Sequence, residues 1–279
     1  MNRAVLSTTV TLVVDTFREA MARKIFWGLF GLSTAMIAFF LFILKIDIVE
    51  GALATISIFG ETAKEKVDLN RFVRQVEGAI ATFLYTWGMF LAIFASAGLT
   101  PSLLEPGRIE LLLSKPVGRT QLLLGRYLGN LLIVGLNTAY LVGGIWLLLG
   151  VKTAIWDPNF LISIATTMFL FAVLLAVVVL VGVGFESTAL AVMIPVGLML
   201  VSPILAQHQL AVRLLNSEWS RQVWKALYHV LPKVYDIGKM NLDYVRFGKV
   251  DSLEPVGSSA AFGCVALLSA IYWFRRRDF

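Results

Sequence analysis

TPSLLEPGRIELLLSKPVGR, residues 100–119, decides how the rest of the chain is read. It lies between two long runs without charge. Two acids, Glu105 and Glu110, alternate with the bases Arg108, Lys115 and Arg119. Pro101, Pro106 and Gly107 punctuate its start, and Pro116 and Gly118 close it. Residues 108–114 between these breakers make two turns of helix. A short wet helix hung between two apolar runs predicts a membrane protein, with this segment on one face of the bilayer.

Composition supports that working outward. The 279-residue chain is 58% hydrophobic and 15% charged, where a soluble domain carries about 25% charged residues. Lipid is therefore the solvent for much of the surface. A net charge of +6 raises nucleic acid as a partner, but the basic residues sit beside apolar runs, which fits anionic lipid and topology instead. Nucleic acid is not expected. Cys264, the only cysteine, excludes an intrachain disulfide and reads as a small packing residue.

Six stretches lack Asp, Glu, Lys and Arg: 25–44, 78–104, 127–151, 158–185, 187–212 and 255–274. Each reaches the ~20 residues that cross ~30 Å of hydrocarbon. Backbone in lipid must satisfy its own hydrogen bonds, so each is predicted helical. The expected fold is an all-α integral membrane protein of one domain, with six spans at about 25–44, 78–99, 127–150, 160–182, 187–206 and 256–274. Only GVGFES, residues 182–187, separates the fourth and fifth spans. Gly182 and Gly184 are expected to permit that turn, with Glu186 on the water side.

Residues 1–24 place Leu6, Val10, Val13, Phe17 and Met21 on one stripe. The expectation is an interfacial helix before the first span; a helix packed on a partner is the plainer alternative. Arg18, Arg23, Lys24, Arg108, Lys115, Arg119, Arg126 and Arg275, Arg276, Arg277 collect on one side. That side is placed in the cytoplasm of a bacterial-type inner membrane, with both termini inside. Segments 45–77 and 207–254 then lie outside. Val67, Phe72, Val73 and Val76 predict an amphipathic helix leading into the second span. Leu215, Trp219, Val223, Leu227 and Leu231, with Trp224 and Tyr228 beside them, predict another at the outer surface.

Chemistry is sparse. There is no GxxxxGK[ST] to cradle nucleotide phosphates and no HExxH. His208 and His229 have no further ligands at metal spacing. Ser258 and Ser259 have no adjacent base. These absences weigh against an enzyme. The polar residues inside spans are mild. Thr82, Tyr85, Thr86, Asn137 and Tyr140 are candidate pathway-lining residues. Helix packing is the plainer reading of them, and of the small-residue row Gly135, Ala139, Gly143. Pro195 and Pro203 are expected to kink the fifth span.

Together these residues resemble the permease subunits of ABC-2 type ABC transporters, near the branch of the nitrous-oxide-reductase maturation permease. The most specific part is Glu105-Pro-Gly-Arg-Ile-Glu110-Leu-Leu-Leu-Ser-Lys-Pro-Val-Gly-Arg119, followed by LLLGRY. The N-terminal helix, LPKVYDIGKM before the last span and the closing FRRRDF support it. The resemblance implies that ATP and Mg are held by two copies of a separate ABC ATPase, with no cofactor in this chain. It implies a second permease subunit, as homodimer or heterodimer, and a coupling helix seated on the ATPase. Glu105, Arg108, Glu110, Leu111, Leu112, Leu113, Lys115 and Arg119 would make that contact, with Glu186 as a weaker second one. A transporter, most naturally an exporter, is the expected function. A device that passes ATPase motion to an extracytoplasmic protein without cargo is the alternative, and an integral-membrane lipid enzyme a more distant one.

Overall fold

The computed structural model describes residues 12–19, 21, 24–42, 44–50, 53–58, 61–62, 67–98, 101, 118–207 and 217–277. Residues 12–19 are helical. Helix α1 runs Lys24–Phe42, and strands β1 to β4 follow at Leu44–Glu50, Leu53–Ile58, Glu61–Thr62 and Val67–Asp68. The long helices are α2 (Leu69–Ala97), α3 (Arg119–Thr153), α4 (Pro158–Phe185), α5 (Thr188–Ala206) and α8 (Glu254–Arg276). Between the last two lie α6 (Glu218–Val230) and α7 (Val234–Phe247).

α4 is the centre. Its sequence is apolar on every side, which suits a helix walled in by protein. α8, α5, α3 and the later part of α2 pack around it. Phe171, Leu170, Leu174, Leu175 and Val178 are fully enclosed. Tyr127 of α3 donates its hydroxyl to the carbonyl of Ala172 at 2.8 Å, which ties a polar tip into this apolar body.

Among the described residues five helices are long and apolar enough to cross a membrane, and the chain is a multi-pass membrane protein. The first expected span is shorter: the uncharged part of α1 is Phe26–Phe42. Its end has a cause. Lys152 on α3 donates to the carbonyls of Phe40 and Leu41 at 3.2 and 2.6 Å, a cation on the last turn of a helix. α3, at 35 residues, runs about 52 Å, far more than ~30 Å of hydrocarbon. Its ends therefore stand clear of the apolar layer.

The body is helical as expected, with one addition between α1 and α2. A small antiparallel sheet forms there, with β2 pairing β1, β3 and β4. β1 aligns Leu44 with Ile58 and Ile46 with Ile56. LKIDIVE and LATISI alternate with a period of two and are rich in Ile, a strand signal that the charge-based reading of spans passed over. The amphipathic helix expected after it is present as the first half of α2. Asp68 caps it, its carboxylate accepting from the N–H groups of Asn70 and Arg71 at 2.9 and 3.2 Å. Residues 84–88 of α2 form a π-turn, and α5 continues as helix through both of its prolines.

Candidate coupling site

Glu105, Arg108, Glu110, Leu111, Leu112, Leu113 and Lys115 lie outside the described residues. The chain returns at Gly118, whose N–H donates to the Gln121 side chain at 3.1 Å and opens α3. Arg119 is the first residue of that helix. Its guanidinium donates to the backbone carbonyls of Arg275 and Arg277 at 3.1 and 2.5 Å. These carbonyls end α8, where the helix has no partners of its own for them. The start of α3 is thereby anchored to the end of α8.

Arg277 extends the network. One guanidinium nitrogen donates to the carbonyl of Val183 at 2.6 Å. The other pairs with the Glu186 carboxylate. Glu186 occupies the turn between α4 and α5 with φ of 51°. This corrects the expectation that Gly182 and Gly184 make the turn: both are helical, and the glutamate itself takes the left-handed conformation. Such a position costs a non-glycine residue about 1 kcal/mol or more. Gly184 instead makes room for Trp273, since a Cβ there would fall 2.8 Å from its ring. Ser187 then starts α5, its hydroxyl accepting from the N–H of Leu190 at 3.4 Å.

Arg119 and Glu186, both candidate residues, are thus joined through Arg277, which the sequence reading used only for orientation. A lone carboxylate in a tight turn needs a cation, and FRRRDF supplied three; that was the available signal. Glu186 is exposed and Arg277 about a third exposed, so solvent screens the pair and it contributes about 1 kcal/mol. Beside it opens a recess of about 260 Å³ lined by Val183, Gly184, Trp273, Arg276 and Arg277.

The N-terminal helical residues meet the same end of α3. Arg126, buried on α3, pairs with Glu19. Thr16 is fully buried against Gly129, and Leu12 lies against Gly125. A Cβ on either glycine would fall within 2.7 Å of these side chains. The close approach of helices therefore uses Gly125 and Gly129. At the row expected to serve it, Gly135 faces Met168 and Gly143 faces nothing within 4 Å.

The candidate pathway residues do not converge. Tyr85 is buried and donates its hydroxyl to the carbonyl of Val234. Thr82 bonds back to the carbonyl of Gly78 at 2.8 Å, and Thr86 is exposed on the same helix. Asn137 accepts from Ser33 at 3.3 Å. The Tyr140 hydroxyl meets that of Thr34 at 3.2 Å while its ring stacks on Phe30. Asn137 and Tyr140 thus fasten α1 to α3. Of the five, Asn137 alone lines the crevice between α1, α2, α3 and α4, which holds about 40 Å³, room for a water or two. Among the described residues no cluster of His, Cys, Asp or Glu has the makings of a metal site.

The family model described as ABC-2 family transporter protein matches residues 11–279. No curated protein matches the chain significantly. The chain belongs to the ABC-2 family of transporter membrane proteins.

Proposed function

From that membership we propose that the chain is the membrane subunit of an ABC-2 transporter that works as an exporter, driven by a separate ABC ATPase. ABC-2 permeases generally pair with such an ATPase, and the permease chain itself lacks ATPase activity. Two copies of the ATPase and a second permease subunit, this chain or a relative, complete the machine. α1 serves as a sixth span: its 19 residues cover about 28 Å. The end carrying Arg119, Arg126, Arg275, Arg276 and Arg277 faces the cytoplasm. The opposite end mixes Arg71, Arg74, Lys233 and Arg246 with Asp68, Asp157, Asp236 and Glu254, which sets no orientation.

The observation that carries the reading is the Arg277 bridge. It joins the start of α3, where the segment at 105–115 enters, to the α4–α5 turn. An ATPase pressing on either element moves both. α3 and α4 then carry the displacement into the core as rigid helices. Glu105 and Glu110 meet basic residues of the ATPase, Leu111, Leu112 and Leu113 fill an apolar groove, and the recess beside Trp273 is a second contact.

The second reading, transmission to an extracytoplasmic protein without cargo, draws on α6. Trp219, Val223 and Leu227 form its apolar stripe and are exposed at 73, 37 and 44%, while Trp224 secures the helix by donating to the carbonyl of Leu205 at 3.1 Å. The stripe is free for lipid or for a partner.

Tagging the chain, extracting it gently and identifying what copurifies tests the core of the proposal, with an ABC ATPase expected. Glu110→Arg should lower transport-coupled ATP hydrolysis about tenfold while membrane insertion is unchanged. If hydrolysis and ATPase copurification both survive the reversed charge, the coupling assignment is wrong.

A further inference from the structure

At the end of the bundle away from Arg277, the start of α2 and the end of α7 enclose an open cleft of about 600 Å³. Its wall is formed by Asp68, Asn70, Arg71, Arg74, Gln75, Arg246 and Phe247. Three guanidiniums thus face one carboxylate. That carboxylate is already engaged, accepting from two backbone N–H groups as the cap of α2. Arg74 leans on Asp157 behind it, Nε to carboxylate oxygen 3.3 Å. The Arg246 Nε is buried against Gly78 of α2 and has no hydrogen-bond partner among the described residues. The cleft wall therefore carries three arginines against one carboxylate that is already engaged, an excess of positive charge that suits an anion.

We propose that this cleft binds a phosphate group, carried by the headgroup of an anionic lipid. Guanidiniums match phosphate oxygens in a two-pronged geometry that lysine does not reproduce, and all three cations here are arginines. The cleft lies against the charged first turns of α2, ahead of its apolar run from Gly78, and in our proposal this is headgroup depth. Phe247 on the rim is 65% exposed, as suits an aromatic at a lipid interface and serves no purpose for a free ion. Gly78 sets the geometry: a Cβ there would fall 2.7 Å from the Arg246 Nε. Only a glycine lets this side chain lie so close to α2.

Native mass spectrometry of the full-length chain tests the site, with phosphatidylglycerol, diacylglycerol or inorganic phosphate added in detergent. Phosphatidylglycerol should be retained and diacylglycerol not. Arg71→Gln, at an exposed position, should weaken retention about tenfold. Gly78→Ala should weaken it comparably without changing charge, because the added methyl meets a flexible side chain that swings aside. Both variants should melt close to the parent. Inorganic phosphate should not displace the lipid at millimolar concentration. If it binds alone with the same arginine dependence, the phosphate site stands and its occupant is a free anion. Retention of phosphatidylglycerol unaltered by Arg71→Gln and Gly78→Ala overturns the site.

Discussion

At one end of the bundle Arg277 pairs with Glu186 at the partly exposed surface; at the other Lys233 reaches Glu254 from inside the fold. The Lys233 side chain is 2% exposed. Its Nζ lies 2.7 Å from the Glu254 carboxylate and sits over the Tyr228 ring, and its backbone N–H donates to the Ser259 hydroxyl at 3.0 Å. Tyr228 in turn donates to Asp236 at 2.8 Å. This network fixes α6, α7 and the start of α8 as one block. The Arg277 network has no such enclosure, and most of its acceptors are helix-end carbonyls of other elements. A cation withdrawn from water must keep its partners or the fold suffers. Exposed cations hold elements in register at little cost and release them at little cost. The first arrangement suits a fixed abutment, the second a joint.

The sharpest way to break that contrast is to disturb the packing at the Lys233 end. Tyr85 lies across Gly238, where a Cβ would sit 2.5 Å from its ring, and Tyr85 is buried with no room to move. Gly238→Leu should therefore cost about 3 kcal/mol, seen as a clear fall in melting temperature in detergent. A normal melting profile would show that this end is as yielding as the other.

Arg277→Ala comes next. It should reduce ATPase-coupled activity about tenfold while changing stability by less than about 1 kcal/mol. Measuring both in the same preparation is the point. Equal losses of stability and activity would make the Arg277 network a structural block too, and the contrast would fail.

The smallest effect belongs to Tyr228. Burial, then the Asp236 hydrogen bond and charge, then the Glu254 charge push its phenol up to about 12. An unfolded tyrosine ionises near pH 10. The stabilisation is complete below about pH 10 and is lost as the pH rises to about 12. Ultraviolet titration of the parent and of Tyr228→Phe should differ by one tyrosine in the late-ionising fraction, and the substitution should cost about 1 kcal/mol.

Much of the helical body was legible because charge-free length is a direct physical requirement of lipid. α4 occupies the charge-free run 158–185 and α5 lies within the run 187–212, at Pro158–Phe185 and Thr188–Ala206. The sheet at 44–68 was missed because a search by charge does not see alternation. Glu186 was read as a water-side marker, correctly placed at a turn, yet which residue would take the strained conformation depended on Trp273 arriving beside Gly184 from 89 positions away. Arg277 and the Glu19–Arg126 pair share that difficulty: each joins residues distant in sequence, and spacing along a chain carries no record of it. The leucines and charges of 105–115 were legible as a pattern, and their placement lies outside the described residues.

One consequence concerns how the chain tolerates change. About two thirds of the apolar window of α4 is enclosed by its own neighbours, against about a fifth for α5 and α8. A residue on α4 is confined by volume, so exchanging valine for phenylalanine there should be ruinous although both are greasy. On the outward faces of α5 and α8 the same exchange would, in the proposed assembly, meet fluid hydrocarbon or a neighbouring subunit, and what is forbidden is wetness rather than bulk. A saturation library should therefore divide the helices into two kinds, one policed by size and the other by solubility.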